Sequence, residues 1–141
     1  MDLRKLRNIT SVLAIGLLTV SGCTTGGAVS TSGAIVTGAW GGIHAGLALT
    51  ADSGTISYDC AHGGLAGPVR LDNAGEFSIV GVHVREHGGP VRIGEVPDSV
   101  PARYVGQVDG DRMVLRVFAG PDTLGPFTLQ RGTPPLLVRC L

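Results

Sequence analysis

The sequence predicts an all-β domain, either a small antiparallel up-and-down barrel or a sandwich of seven or eight strands, placed after an N-terminal signal helix. Beyond residue 37, apolar and polar residues alternate in short runs, and no stretch keeps the 3.6-residue period of an amphipathic helix. Turn-forming residues interrupt these runs about every ten residues, as in an antiparallel meander. A closed barrel is favoured because closure leaves no exposed strand edge.

Three strands are predicted in the first half of the domain, each ended by turn-forming residues. The terminating signals are Asp52-Ser53-Gly54, the Gly63-Gly64 pair and the run from Asp72 to Gly75. The predicted strands are, in order, residues 43–49, 55–60 and a short strand at 68–71.

The longest run, residues 76–86, changes its pattern part-way along. Phe77 and Ile79 belong to one face of a strand, whereas the valines that begin at Val80 belong to the other. A β-bulge near Gly81 would bring both sets to the same side, because a bulge inserts one extra residue. The sequence therefore predicts a bulged strand here.

The second half of the domain is predicted to begin with a long loop. Residues 87–101 are rich in proline and glycine, and long ordered loops often carry function in small domains. Asp109-Gly110 is the strongest hairpin signal in the chain and predicts a type I′ turn. The remaining predicted strands are residues 103–108, 112–118, 126–131 and 136–141.

Residues 1–22 have the pattern of an exported protein's signal peptide. Arg4, Lys5 and Arg7 precede an uncharged, mostly apolar run at residues 9–20. A dozen helical residues rise about 18 Å, less than the roughly 30 Å hydrocarbon core of a membrane. A cleaved signal peptide is therefore favoured over a permanent transmembrane helix.

Val20-Ser21-Gly22-Cys23 resembles the lipobox of bacterial lipoproteins. The resemblance implies that the Cys23 thiol receives diacylglycerol, that cleavage follows Gly22, and that acyl chains anchor the mature protein in a membrane of the cell envelope. Thr24 in place of aspartate implies sorting to the outer membrane, facing the periplasm. Residues 23–37 would then be the lipidated cysteine and a flexible Gly/Ser/Thr tether, and residues 38–141 the barrel domain. The alternative is an ordinary signal peptide with an unrelated cysteine.

The other two cysteines, Cys60 and Cys140, are predicted to form a disulfide, since thiols in an oxidising compartment are expected to pair. The alternative is a pair of buried free thiols. Charges exclude one class of partner: outside the signal peptide there is no basic run or stripe, so nucleic-acid binding is not predicted.

Gly38-Ala39-Trp40, followed by a meander, resembles the G-x-W motif of lipocalins and the wider calycin group. In that group the tryptophan closes one end of the barrel and an arginine from the last strand packs on its ring. The resemblance implies this role for Arg139 or, as second choice, Arg131. This chain is shorter and lacks the helix that follows a lipocalin barrel, which argues against a roomy ligand cavity.

Three segments, DCAHG at 59–63, VREHGGPVR at 84–92 and GPFTLQRG at 125–132, are similar to those of small bacterial exported proteins of unknown function. This resemblance supports one folded unit and implies no activity. The spacings G-x-S-x-G, H-E-x-x-H and a P-loop are absent, so no catalytic residue and no cofactor is predicted. A hydrolase is the least favoured class.

One polar cluster is a candidate ligand or metal site, and it comprises His62, His83, Arg85, Glu86 and His87. Residues 83, 85 and 87 of an extended strand share a face, and imidazoles with a carboxylate could hold zinc or copper. Arg85 argues against a metal, because a fixed cation repels a divalent ion. The alternatives are a solvated barrel rim, or a patch in which Arg85 and Arg92 bind a carboxylate or glycan.

The sequence thus predicts a lipid-anchored envelope lipoprotein that acts as a binding or structural interaction module rather than an enzyme. Its partners would be the membrane, through the lipid, and an envelope protein or the cell wall. The alternative is a small-ligand or metal-binding calycin-like protein. A cavity lined by Tyr58, Tyr104, Met113 and Phe127 would favour that alternative, and a filled barrel would favour a macromolecular partner.

Overall fold

The computed structural model describes residues 33–140, and this part of the chain contains strands, turns and loops without a helix. The predicted signal peptide and Cys23 lie outside the described residues. No helix that could span a membrane is found in residues 33–140. Eight antiparallel strands form a closed barrel in chain order, as the sequence predicts. The strands are β1 Gly38–Gly41, β2 Ala45–Leu49, β3 Gly54–Tyr58, β4 Ala61–Leu65, β5 Glu76–Arg85, β6 Asp98–Asp109, β7 Arg112–Ala119 and β8 Asp122–Arg131.

Strict alternation directs side chains to the two sides of the barrel wall, as β7 illustrates. Met113, Leu115 and Val117 are buried inside, while Arg112 and Arg116 face solvent. The barrel closes where β1 pairs with β8, Trp40 opposite Arg131 and Gly41 opposite Gln130. The other strands each pair with their neighbours in sequence, so the fold is an up-and-down barrel.

The prediction of a first strand at residues 43–49 is wrong about where this strand begins. Residues 42–44 form the turn between β1 and β2, and His44 has a φ of 69° there. The alternation of Ile43 with the following apolar residues concealed this turn. Gly42 permits it, because a Cβ at that position would lie 2.2 Å from the backbone oxygen of Thr128.

The predicted second strand is confirmed as β3, but the chain reverses at Asp59 and Cys60 rather than at the glycine pair. Gly63 and Gly64 lie inside β4, which the sequence reading missed. Gly63 is required there because a Cβ would lie 2.2 Å from the hydroxyl of Tyr104, which crosses the barrel interior at this level. Gly63 therefore marks a close approach and not a turn.

Two predicted short strands are absent from the structure of residues 33–140. Residues 68–71 form a single bridge, between Arg70 and Ile35, and residues 136–140 form a single bridge, between Leu136 and Ile43. Two consecutive prolines, Pro134 and Pro135, have no backbone N–H that could hydrogen-bond to a neighbouring strand. The barrel is already closed by β8. The turn at residues 72–75 is confirmed.

The predicted bulge near Gly81 is wrong, because β5 pairs with both β4 and β6 in unbroken register. Phe77 and His83 face the interior, and Val80 faces solvent with 58% of its surface exposed. The apolar pattern misled because a histidine points inward and the valines point outward. The register shift lies between β7 and β8, near Leu115 and Val117.

The long loop ends earlier than predicted, since β6 begins at Asp98 and includes Pro101. A proline is tolerated because residues 98–101 pair with β5 alone, and the pairing with β7 starts at Ala102. The predicted hairpin is confirmed, with Asp109 opposite Arg112. Gly110 has a φ of 58° while Asp111 keeps a negative φ, so the turn is of type II′ and not I′.

The barrel has two ends that differ in what they carry. The tether end comprises the connections at residues 50–53, 66–75 and 110–111. The described chain begins there, since Leu71 donates its backbone N–H to Ala34 and Val36 donates to Val69. The loop end comprises the connections at residues 42–44, 59–60, 86–97 and 120–121.

Trp40 closes the tether end, as the calycin resemblance implies. Its side chain is 1% exposed, and the guanidinium of Arg131 lies 4.1 Å from its ring centroid. Arg131 also donates to the carbonyl of Thr37 at 2.7 Å and to Asp111 at 3.1 Å. The first choice, Arg139, is wrong because residues 136–140 form no closing strand and β8 ends at Arg131.

Cys60 and Cys140 form the predicted disulfide at the loop end, with their Cα atoms 5.1 Å apart. Nearby, the backbone N–H of Val138 donates to Asp59 at 2.7 Å. The N–H groups of His44 and Leu136 are also hydrogen-bonded between the turn at residues 42–44 and the C-terminal segment. The disulfide therefore joins the end of the described chain to the turn between β3 and β4.

Candidate functional site

All four histidines of the chain lie at the loop end of the barrel. His44 belongs to the turn between β1 and β2, and His62 is near the start of β4. His83 is near the end of β5, and His87 is in the loop that follows. The up-and-down topology brings them together, because the first, third, fifth and seventh connections between strands all lie at the same end of the barrel.

Three of these histidines are exposed, and each is paired with a different carboxylate. His62 Nδ1 lies 2.6 Å from Glu86 Oε1. His44 pairs with Asp59, and His87 pairs with Glu95. The sequence reading included His62, Glu86 and His87 but missed the other partners, because nothing in the local pattern marks them.

The loop carboxylate Glu95 is fixed by two contacts. Its Oε2 accepts the backbone N–H of Arg92 at 3.0 Å, and its Oε1 contacts His87. These two contacts hold the pKa of Glu95 below its usual range, with the backbone donor as the larger cause. The carbonyl of Gly88 and then Glu95 raise the pKa of His87. The contact between His87 and Glu95 therefore folds the loop back on itself.

A similar contact ties the C-terminal segment to the barrel. The backbone N–H of Val138 is the main cause that lowers the pKa of Asp59, and His44 acts in the same direction. A carboxylate that accepts such bonds favours its charged form. Two contacts of this segment, the disulfide of Cys140 and the hydrogen bond of Val138, thus converge on residues 59 and 60.

Arg85 spans the mouth of the barrel. Its Nη2 donates to Asp122 of β8 at 2.5 Å, and its Nη1 lies 3.4 Å from Asp98 of β6. Both carboxylates raise the pKa of Arg85, with Asp122 the larger cause. Arg85 was a candidate for binding the carboxylate of a ligand. Its guanidinium is already paired with two carboxylates of its own chain.

His83 lies inside the barrel, on the opposite side of the wall from His62. It is 3% exposed, and its ring centroid is 5.4 Å from that of Tyr58. Burial, and then the charge of Arg85, lower the pKa of His83. A buried imidazole in this position is neutral at pH 7.

The candidate metal donors are thus divided between the inside and the outside of the wall. In the part of the chain that the structure describes, no three side chains of His, Cys, Asp or Glu are grouped so that they could hold a metal ion. His62, Glu86 and His87 do line one groove together, but His83 does not belong to it.

That groove, of about 290 Å³, lies between the ends of β4 and β5 and the loop at residues 86–97. Its walls are aliphatic, and its rim carries the two imidazole and carboxylate pairs. The loop above it exposes one further aliphatic side chain, Ile93, to solvent. The aliphatic residues of the groove and loop are Val84, Val91, Ile93, Val96 and Pro97.

The four residues suggested as the lining of a ligand cavity all lie in the barrel. Tyr104 and Met113 are fully buried, and Tyr58 packs on Phe127 with 5.7 Å between ring centroids. The hydroxyl of Tyr104 donates to the carbonyl of Val82 at 2.8 Å. These side chains pack against one another in the interior of the barrel.

Comparisons with protein-family models, with curated proteins and with solved structures found no match for this chain. The function is therefore inferred from the chemistry and position of the loop end.

Proposed function

We propose that this chain is a lipid-anchored binding module of the cell envelope that engages an envelope protein or the cell wall through the loop end of its barrel. The observation that carries the proposal is the position of the two ends. The described chain joins the barrel at the tether end, whereas the histidines, the groove and the exposed loop are at the opposite end. A lipid on Cys23 would leave the loop end free to face away from the membrane.

The loop end has the surface chemistry of an interaction site. Val91, Ile93 and Val96 are exposed on one loop, beside Glu86 and Glu95. Clustered exposed aliphatic residues rimmed by polar groups are typical of a binding surface in a soluble domain. The internal contacts of Glu95 reduce the freedom of the loop, which lowers the entropy lost when a partner binds.

The lipid anchor is tested by substituting Cys23. Cys23→Ala is expected to abolish metabolic labelling with a fatty acid and to leave the precursor uncleaved at Gly22, because the thiol is the acceptor of the lipid. Gel mobility and label incorporation in whole cells measure both. Ser21→Thr, which keeps the thiol, is the control. Labelling that persists in Cys23→Ala would exclude this anchor.

The binding surface is tested by photo-crosslinking in intact cells. A photoreactive residue at Ile93 of the loop end is expected to give a discrete crosslinked product, and one at Asn73 of the tether end is expected to give none. Val96→Asp should reduce the product at position 93 at least fivefold, because a charge would be placed in the aliphatic contact. Equal products at both positions would contradict the proposal.

A second candidate function is the binding of a small ligand within a calycin-like barrel. One observation favours it: Nδ1 of His83, inside the barrel, is buried and has no hydrogen-bond partner within residues 33–140.

A further inference from the structure

The groove beneath the loop at residues 86–97 combines aliphatic walls with an excess of acidic groups. Three carboxylates and one guanidinium line it, so its formal charge is −2 when its two imidazoles are neutral. The acids are Glu86, Glu95 and Asp98, and the base is Arg85. Such a surface is complementary to a partner that carries positive charge next to an aliphatic group.

The acids of the groove differ in what they contact. Arg85 is paired with Asp98 and Asp122, so its charge offsets these two carboxylates. Glu86 and Glu95 contact imidazoles instead, and within residues 33–140 no arginine side chain forms an ion pair with them. An imidazole is positively charged only when it is protonated. These two glutamates are therefore the acids that a cation of a partner can neutralise.

The size of the groove favours a side chain over a whole small molecule. Its volume of about 290 Å³ is below the range of about 300 to 1,000 Å³ that is usual for small-molecule sites. The side chains of Glu86 and Glu95 are 53% and 29% exposed, so both can be reached from solvent. A polypeptide that crosses the groove could insert one aliphatic side chain and place neighbouring charges at the rim.

We infer that the groove binds a basic segment of an envelope protein, in which an aliphatic side chain enters the groove and nearby lysine or arginine side chains pair with Glu86 and Glu95. This inference rests on the proposed function and names the class of partner that the loop end engages. A glycan lacks the aliphatic side chain that the walls accommodate, and the two glutamates repel an acidic partner.

The glutamate of the loop is positioned before any partner binds. Glu95 accepts the backbone N–H of Arg92 at 3.0 Å and contacts His87. A carboxylate that is already held in place loses little conformational freedom when it pairs with a cation. The same contacts hold the loop over the groove, so the aliphatic walls and the acidic rim are presented together.

A second copy of this chain is the competing occupant. The loop itself exposes Val91 and Ile93 on either side of Arg92, which is a segment of the required chemistry. However, Val91 lines the groove of its own loop, and the backbone N–H of Arg92 is bound to Glu95. The segment would have to leave its own groove to enter that of a neighbour, so a different protein is favoured.

Titration of the full, oxidised chain in non-ionic detergent with three matched peptides tests the inference. Each blocked peptide has a central leucine, and the residues two positions to either side of it, which share its face in an extended chain, are lysine, glutamine or glutamate. The lysine peptide is expected to bind about fivefold more tightly than the glutamine peptide, because exposed ion pairs contribute modestly, and the glutamate peptide should bind least. Backbone amide NMR shifts of Val84 and Val96 report binding in the groove.

The titration is run at about pH 8.5, above the ordinary range of imidazole, because Gly88 and then Glu95 raise the pKa of His87. Combining Glu86→Gln with Glu95→Gln should abolish the preference for lysine, since glutamine keeps an acceptor oxygen but carries no charge. Glu76→Gln, at the start of β5 and at the tether end, is the matched control and should leave the preference unchanged. Equal binding of the three peptides, or a lysine preference that survives in the double variant, overturns the inference.

Two further measurements separate this inference from its alternatives. Crosslinking at Ile93 requires contact alone, so a product at that position together with equal binding of the three peptides would overturn the inference and leave the proposed function standing. Sedimentation of the full chain tests for a second copy. A monomer supports the inference, whereas a dimer that Ile93→Asp abolishes would place the loop of a neighbouring copy in the groove and overturn it.

Discussion

Replacing Cys60 and Cys140 with serine is expected to lower the free energy of unfolding by roughly 4 to 5 kcal/mol. The bond joins positions 80 residues apart, and closing so long a loop removes much of the entropy of the unfolded chain. Small domains are stable by only about 5 to 15 kcal/mol, so this loss is a large share of the total. Urea unfolding of the oxidised protein and the double variant measures the difference.

A reductant provides the control for this prediction. It should shift the unfolding midpoint of the unaltered protein towards that of the double variant, and it should leave the double variant unchanged. An unaltered protein whose midpoint does not respond to reductant, after reduction is verified by thiol alkylation, would show that the disulfide contributes little.

The same substitutions should have a local effect at the loop end. The C-terminal segment has one bridge to the turn at residues 42–44, and Pro135 packs within 2.6 Å of where a Cβ of Gly46 would be. Without the disulfide, the hydrogen bond from Val138 to Asp59 and the bridge at Leu136 remain to hold this segment. Hydrogen exchange at His44 and Val138 should therefore rise more than exchange in β6 or β7.

The barrel was predictable from the sequence because its cause is periodic. Alternation in β7 and the hairpin at Asp109 and Gly110 are local signals, and the closure of an antiparallel meander follows from the cost of open edges. The disulfide followed from the cysteine count together with the expectation that the chain is exported. These features depend on composition and short spacing, which one sequence displays directly.

The site was less predictable because its contacts join distant parts of the chain. Arg85 meets Asp122, which is 37 residues away, and nothing in either segment indicates this contact. The inward orientation of His83 depends on the register of β5, which the exposed valines concealed. Gly63 has the sequence signal of a turn, and only the position of Tyr104 explains it as part of a strand.

The choice between Arg131 and Arg139 shows the same limit. The calycin resemblance implies an arginine from the last strand, and deciding which one required knowing where the last strand ends. Two consecutive prolines after β8 end the ladder, and the remaining residues cross the loop end instead. The resemblance thus predicted that Trp40 closes one end of the barrel. Which arginine packs on its ring depended on where the barrel closes.

Trp40→Ala is expected to lower the free energy of unfolding by about 3 to 5 kcal/mol, the usual range for removing a fully buried aromatic side chain. Trp40 is 1% exposed and carries the guanidinium of Arg131 on its ring. Its loss would leave a cavity at the tether end and would remove the surface on which Arg131 packs. Chemical unfolding followed by circular dichroism measures the change, because the variant lacks the chain's single tryptophan.

Arg131→Met separates the contribution of the Trp40 side chain to stability from that of the arginine that packs on its ring. It keeps much of the aliphatic stem but removes the hydrogen bonds to Thr37 and Asp111 and the contact of the charge with the ring, so a loss of about 1 to 2 kcal/mol is expected. Val80→Ala, at an exposed aliphatic position, should change stability by less than about 0.5 kcal/mol. A cost for Trp40→Ala no larger than that of Val80→Ala would contradict a closed tether end. A large cost, with coupling between Trp40 and Arg131, means that the tryptophan and the arginine act together in closing the tether end of the barrel.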